Sequence, residues 1–168
     1  WKCHFTAGID GNLLLWIDDF LRNRPQRTVW GGTSSDWKLN FNGVPQGSIC
    51  SPILYLILAN DIPNYVTQRC SMYADDTVLW SELPDERDQI AALSHDMSQI
   101  LRWSNLWGID IHPGKTKWIR LGKTHNDNPQ GRISFGQQPD GSIRFLKRVN
   151  SATLLGLKFD DKLTFAPH

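Results

Sequence analysis

Two adjacent carboxylates between two strand-forming segments constrain this sequence more than any other feature. The residues Tyr73-Ala74-Asp75-Asp76 follow a short apolar segment and precede a strand-forming run at 77–80. A tight hairpin over these positions would present both carboxylates at its tip. Neighbouring like charges repel each other, so a divalent cation that binds both stabilises such a turn. The pattern predicts a metal site of the kind used in phosphoryl transfer, although Asp-Asp is also ordinary turn chemistry.

Length and composition are those of a globular domain. The 168 residues suffice for one domain, or for one domain and part of another. No apolar run is long enough to span a membrane, and the residues from Trp1 onward contain no secretory signal and no initiator Met. We therefore expect the chain to begin within a longer protein. The cysteines Cys3, Cys50 and Cys70 lack metal-ligand spacing, which favours a reducing, intracellular compartment.

Basic residues are bunched, although the net charge is only +1. The clusters are Arg22, Arg24 and Arg27, then Lys115, Lys117, Arg120 and Lys123, and then Arg144, Lys147 and Arg148. Clusters of this kind can neutralise phosphates even when the summed charge is near zero. For each cluster, an ordinary solvated surface is the open alternative.

Apolar spacing and capping residues predict three helices. The first spans 12–23 with Asn12 as N-cap, the second begins at Pro52 with Ser51 as N-cap, and the third runs from Pro84 to a C-terminal Gly108. Strand-forming runs lie at 27–31, 37–41, 72–80, 109–111, 116–121, 132–135, 142–149 and 154–159, with a turn at Pro139-Asp140-Gly141. Helices and hairpins alternate irregularly, which predicts an α+β fold whose helices cover one face of an antiparallel sheet.

Four segments, in order, resemble the reverse transcriptase domain of non-LTR (LINE-like) retrotransposons. They are Gly43-Val44-Pro45-Gln46-Gly47-Ser48 with Ser51-Pro52-Ile53-Leu54 and Asn60-Asp61, then Tyr73-Ala74-Asp75-Asp76, then Trp107-Gly108-Ile109-Asp110-Ile111 with Lys115-Thr116-Lys117, and then Leu155-Gly156-Leu157 with Asp160. Their order and spacing agree over nearly the whole chain. The resemblance implies a polymerase palm-type antiparallel sheet plus C-terminal β-hairpins, with a partial palm at 1–122 and a β-rich primer-grip region at 123–168.

The resemblance also implies roles for particular residues. Asp75 and Asp76 would be catalytic metal ligands for Mg²⁺, with Mn²⁺ as a possible substitute. The residues expected to contact substrate are Pro45, Gln46, Gly47, Tyr73 and Ala74. Lys115 would be the catalytic lysine at the nucleotide phosphates, with Lys117 as the competing choice. The residues expected to contact nucleic acid are Arg22, Arg24, Arg27 and Lys117.

The implied activity is RNA-directed DNA synthesis, in which a nucleotide is transferred from a dNTP to a primer 3′-hydroxyl. The implied partners are an RNA template, a DNA primer, a dNTP, and the fingers, thumb and endonuclease domains of a longer polyprotein. The resemblance places a third metal-binding aspartate upstream of Trp1, and Asp10, Asp18 and Asp19 fit caps or surface positions instead. The chain alone is therefore expected to be inactive, and the resemblance implies a nuclear location.

Two alternatives stay open at this point. A degenerate or domesticated remnant could bind nucleic acid, or only fold, without polymerising. An RNA-dependent RNA polymerase uses a similar carboxylate turn, but those enzymes more often have Gly-Asp-Asp there, and the loop Val44-Pro45-Gln46-Gly47-Ser48 points away from them.

Overall fold

The computed structural model describes residues 7–41, 43–122, 131–138 and 140–165. Helices α1 (Gly11–Leu21), α2 (Cys50–Ala59) and α3 (Glu86–Trp107) and a 3₁₀ helix (Ile62–Tyr65) alternate with short strands. The strands are β1 (Arg24–Gln26), β2 (Val29–Trp30), β3 (Thr33–Ser34), β4 (Lys38–Asn40), β5 (Arg69–Tyr73), β6 (Asp76–Trp80), β7 (Lys117–Trp118), β8 (Ser134–Gln137), β9 (Ile143–Phe145), β10 (Lys147–Arg148), β11 (Ser151–Leu154) and β12 (Leu157–Asp160). The predicted α+β class is confirmed.

The strands of the described residues pair as six two-stranded sheets, whereas the sequence led us to expect one larger sheet. Strand β1 pairs with β4, β2 with β3, β8 with β9 and β11 with β12, all antiparallel, while β7 and β10 are parallel. The other pair is β5 with β6. The palm-type sheet therefore stays a prediction.

Helix α3 ends where the sequence predicts but begins two residues later, at Glu86. The Asp85 carboxylate accepts hydrogen bonds from the backbone N–H groups of Arg87 and Asp88, at 2.7 and 3.4 Å. Gly108 ends the helix in the left-handed conformation, with φ 64°. The C-terminal glycine is confirmed, whereas the predicted start at Pro84 is two residues too early, because Asp85 is the N-cap and Glu86 the first helical residue.

The predicted N-caps of the two shorter helices are wrong. Helix α1 begins at Gly11, so Asn12 is helical and Asp10 occupies the cap position without a side-chain hydrogen bond. Helix α2 begins at Cys50, and the Ser51 hydroxyl donates to the Pro45 carbonyl instead of capping the helix. Serine and asparagine are common caps, but tertiary partners compete for the same side chains.

Several strand predictions also differ from the structure. The run 142–149 is divided between β9 and β10, and the runs 27–31 and 116–121 contain only the two-residue strands β2 and β7. Residues 109–111 form no strand, because the chain leaves the left-handed Gly108 irregularly. The run 154–159 is divided between β11 and β12 by a turn at Leu155 and Gly156, whose φ values are 49° and 83°. The turn predicted at Pro139-Asp140-Gly141 lies partly outside the described residues, since Pro139 is not among them.

The chain divides into two compact units. The first comprises Trp1–Pro63 and Met72–Asp76, and the second comprises Asn64–Ser71 and Thr77–His168. The buried apolar residues of the first are Ile17, Leu54, Ala59 and Ile62, and those of the second are Met97, Ile100, Trp103, Ile133 and Phe135. In the second unit α3 packs against β8. The sequence predicts another boundary, after residue 122, between the palm and the primer-grip region. This division does not correspond to the two compact units, and it stays a prediction.

Candidate functional site

The paired carboxylates lie at the tip of the β5–β6 hairpin. Strand β5 ends at Tyr73, β6 begins at Asp76, and Ala74 and Asp75 form the turn between them. Ala74 has φ 50°, a left-handed conformation that costs a residue with a side chain about 1 kcal/mol or more. Tyr73 is 68% exposed, and both aspartates are exposed as well. A strained turn therefore presents two carboxylates to solvent.

No basic side chain neutralises this pair within the described residues. The ion pairs found there join Asp18 to Arg22, Glu82 to Arg69 and Glu86 to Arg120. Exposed carboxylate oxygens are ligands that Mg²⁺ prefers. The described residues contain no group of three or more His, Cys, Asp or Glu suited to a metal. Asp75 and Asp76 thus fit a divalent cation as part of a ligand set, which other groups must complete.

Helix α2 brings a tyrosine close to this turn. Burial raises the pKa of the Tyr55 phenol, and the negative charge of Asp75 raises it further. Both residues belong to the first unit, and a nearby negative charge disfavours the ionised phenolate. Sequence reasoning missed Tyr55, although it follows directly on the quoted segment Ser51-Pro52-Ile53-Leu54.

The glutamine loop is tied to the same helix. The Ser51 hydroxyl, in the first turn of α2, donates a 2.6 Å hydrogen bond to the carbonyl of Pro45. Gln46 and Gly47 form an exposed turn next to it, and Gly47 has φ 82°, which favours glycine. A Cβ at Gly47 would meet no atom within 4 Å, so backbone conformation, and not close approach within this chain, calls for glycine there.

The three arginines predicted to contact nucleic acid each have a partner within the chain. Arg22 forms an exposed ion pair with Asp18 at 2.8 Å. Arg24 donates to the carbonyl of Gly43 at 2.8 Å, which braces the start of the glutamine loop. The guanidinium of Arg27 lies 4.7 Å from the ring centroid of Trp37. Their role at nucleic acid stays a prediction.

The two candidate lysines differ in their local structure. Lys115 is exposed in a turn, where its backbone N–H donates to the carbonyl of His112 at 3.1 Å. Lys117 is exposed in strand β7. Both belong to the second unit, whereas Asp75 belongs to the first. The choice of Lys115 over Lys117 at the nucleotide phosphates stays a prediction.

Two shallow cavities occur in the first unit, and neither includes the aspartates. One, of about 230 Å³, is lined by Gln26, Arg27, Thr28, Ser35, Asp36 and Lys38. The other, of about 240 Å³, is lined by Ala7, Leu56, Ile57 and Asn60. The chemistry of the carboxylates, and not cavity shape, therefore identifies the candidate site. None of the helices in the described ranges has the length and apolar character that crossing a membrane requires.

The sequence is similar to known polymerases of mobile elements. The family profile "Reverse transcriptase (RNA-dependent DNA polymerase)" matches residues 1–159. The chain is 27% identical to the RNA-directed DNA polymerase from mobile element jockey of Drosophila melanogaster over 164 residues, which are 93% of this chain and 17% of that protein. It is 28% identical to the jockey polymerase of Drosophila funebris over 160 residues, 90% of this chain and 17% of that protein.

A third relative is the probable RNA-directed DNA polymerase from transposon X-element of Drosophila melanogaster. It is 26% identical over 131 residues, which are 75% of this chain and 14% of that protein. No solved structure gives a significant match to this chain. The chain spans 17% or less of the length of these relatives.

Proposed function

Because the chain belongs to the reverse transcriptase (RNA-dependent DNA polymerase) family, we propose that it forms the carboxylate-bearing palm of a non-LTR retrotransposon polymerase. The observation that carries this proposal is that exposed Asp75 and Asp76 lie in and directly after the strained turn at Ala74 and have no ion-pair partner within the described part of the chain. The glutamine loop, helix α2 and this turn belong to one compact unit, which supports a shared role. Strained, exposed carboxylates are typical of sites that bind a cation and substrate phosphates.

The proposed reaction joins a primer 3′-hydroxyl to the α-phosphate of a dNTP and releases pyrophosphate. Asp75 and Asp76 would hold divalent cations, with Asp75 as the firmer ligand, and Mg²⁺ bound there would supply neutralisation of the negative charge that develops on oxygen. Lys115 supplies positive charge or a proton to the leaving pyrophosphate. Catalysis by these residues is thus positioning together with charge stabilisation.

The residues proposed to contact substrate and nucleic acid through the first unit lie mainly on its exposed surface. Gln46 and Gly47 are exposed at their turn and would face the templating base and the nucleotide. Tyr73 presents most of its ring to solvent beside the aspartates and would pack against the primer end. Arg22, Arg24 and Arg27 would contact template phosphates. Arg24 would act while bracing Gly43, so its removal would also loosen the loop.

Other parts of a longer polymerase are the proposed protein partners. Large apolar side chains of the first unit are exposed, such as Trp30 at 87% and Ile49 at 90%. Extensive exposed apolar surface marks a place where protein or ligand binds. Fingers, thumb and any endonuclease domain would cover part of it. The nuclear location proposed for this protein rests on the family resemblance alone.

Primer extension on an RNA template tests the proposal. A polymerase that contains this chain with the flanking segments of its relatives should incorporate dNTPs in a Mg²⁺-dependent reaction. Asp75→Asn should abolish incorporation and leave binding of the primed template unchanged, since it removes a metal ligand only. The matched control is Asp140→Asn. Asp140 is an exposed hairpin carboxylate that accepts hydrogen bonds from the backbone N–H and the hydroxyl of Ser142.

The same assay distinguishes a polymerase from a remnant that binds nucleic acid without polymerising. If the polymerase folds and binds the primed template but never extends it, this copy is a nucleic-acid-binding remnant. Full activity of the Asp75→Asn variant would overturn the assignment of the metal site.

A further inference from the structure

Two lysines are side by side on the second unit. In the parallel pair of β7 and β10, Lys117 is the direct partner of Lys147. Neighbouring strands lie about 4.8 Å apart, and directly paired positions share a face of the ladder. Both side chains are exposed. The two ammonium groups therefore project from the same open face.

The next pair in the ladder shows which face is covered. Trp118 is the partner of Arg148, and both are half-buried. The Arg148 guanidinium lies 5.6 Å from the centroid of the Trp118 ring. Because successive residues of a strand alternate between faces, the covered Trp118 and Arg148 place Lys117 and Lys147 on the solvent side.

The charges of these lysines are not compensated within the described residues. The ion pairs there involve Arg22, Arg69 and Arg120, and neither Lys117 nor Lys147 has an acidic partner. Like charges placed directly opposite each other destabilise a pair of strands. An anion that binds between the two ammonium groups would turn this repulsion into attraction.

We propose that Lys117 and Lys147 together form a phosphate-binding pair for the backbone of the nucleic acid that the polymerase copies or extends. This inference rests on the proposed function. Neither lysine lines either of the cavities described above. Small nucleotides are usually bound in concave sites, whereas an open strand face suits the extended backbone of a polyanion.

Binding of a labelled RNA–DNA hybrid to the 168-residue chain, measured by fluorescence anisotropy over a range of salt concentrations, tests the pair. Lys117→Gln and Lys147→Gln should each weaken binding severalfold and lower the salt slope by about 1. If both lysines bind one phosphate, the double variant should lose less affinity than the product of the two single losses. Unchanged affinity in both single variants would overturn the proposal.

Lys158 is the matched control. It is an exposed strand lysine, but its partner across β11 and β12 is Thr153, which is uncharged. Any effect of Lys158→Gln should combine multiplicatively with that of Lys117→Gln, since the two do not share a phosphate. The same coupling for Lys158 as for Lys147 would show a general charge effect and would refute the paired site.

Thermal unfolding without nucleic acid gives a second readout. Because each lysine repels the other, Lys147→Gln should raise the melting temperature slightly, and Lys158→Gln should not. A destabilised Lys147→Gln variant would show that the pair is not repulsive, which contradicts the proposal.

Two further measurements ask whether the lysine pair binds a nucleotide or a nucleic-acid backbone, and whether this binding depends on polymerase activity. If a dNTP competes with the hybrid for wild type but not for Lys117→Gln, the pair binds a nucleotide, and the backbone proposal fails. The binding assays need no polymerisation, so an inactive polymerase whose hybrid binding depends on this lysine pair would refute the proposed function and leave the phosphate pair intact.

Discussion

The carboxylate of Asp96 accepts two hydrogen bonds from Thr67, one from the backbone N–H and one from the hydroxyl, each 2.9 Å long. Its other oxygen accepts from the backbone N–H of Gln68 at 2.8 Å. Asp96 is on α3 and is fully buried, and Gln68 immediately precedes β5. Helix α3 therefore holds the start of the strand that ends beside Asp75.

Removal of the charge from Asp96 should weaken this attachment strongly. Asp96→Asn keeps the shape but replaces one acceptor oxygen by an NH₂ group, which faces a donor. Because these partly buried hydrogen bonds then lose an acceptor at the fully buried position 96, we expect the free energy of unfolding to fall by about 2 kcal/mol. Urea denaturation measures this, and hydrogen exchange should show faster exchange of the Thr67 and Gln68 amides.

Ser94 is a suitable comparison on the same helix. Its hydroxyl accepts one hydrogen bond, from the backbone N–H of Ser134 at 3.2 Å. Ser94→Ala should cost about 1 kcal/mol and leave the Thr67 amide protected, since it releases β8 and not β5. Equal losses for the two variants would mean that Asp96 contributes no more than a neutral hydrogen bond.

Tyr55 reports the charge at the proposed metal site. Burial first, and the charge of Asp75 second, raise its pKa above the ordinary 10.0. Asp75→Asn removes only the second cause, so the pKa of Tyr55 should fall but remain above 10.0. Titration of tyrosines labelled at Cζ, followed by NMR, measures this, and Tyr55→Phe assigns the resonance. Asp76→Asn should have a smaller effect, and no shift in Asp75→Asn would place the turn away from α2.

Cys70 should make the fold less stable at alkaline pH. Burial, and then the charge of Asp96, raise the pKa of the Cys70 thiol above 9.0. The unfolded thiol loses its proton first, so the stabilisation by the neutral thiol is complete below pH 9.0 and is lost as the pH rises through the higher folded pKa. Urea denaturation of wild type and Cys70→Ala should converge above pH 9.0, and parallel pH profiles would contradict this.

Substitution of Ala74 by glycine should raise the free energy of unfolding. The φ of 50° at Ala74 strains a residue with a Cβ, and Ala74→Gly relieves that strain. The greater conformational entropy of glycine in the unfolded chain offsets only part of this stabilisation. We expect a gain of about 0.5–1 kcal/mol in unfolding free energy. Ala91→Gly, within α3, should instead lose about 1 kcal/mol. A loss at both positions would mean that the turn is not strained.

The sequence was sufficient where a structure depends on neighbouring residues. The left-handed Gly108 follows from local backbone chemistry, and it ends α3 in the structure as the sequence predicts, while the start of the helix lies two residues after the predicted Pro84. The family was also evident from local segments, because the aspartate pair and the glutamine loop keep their order and spacing. The predicted caps Asn12 and Ser51 are wrong: Asn12 lies inside α1, which begins one residue earlier, and the Ser51 hydroxyl donates to the Pro45 carbonyl.

Only the tertiary structure decided which distant residues meet. Sequence spacing does not show that Asp96 holds Thr67, that Tyr55 feels the charge of Asp75, or that Lys147 is paired with Lys117. Such contacts depend on how separate elements pack and on which strands pair, and the local chain has no information about either choice. The sequence by itself thus determined the family, the α+β class and the aspartate pair, while packing determined what surrounds and supports that pair.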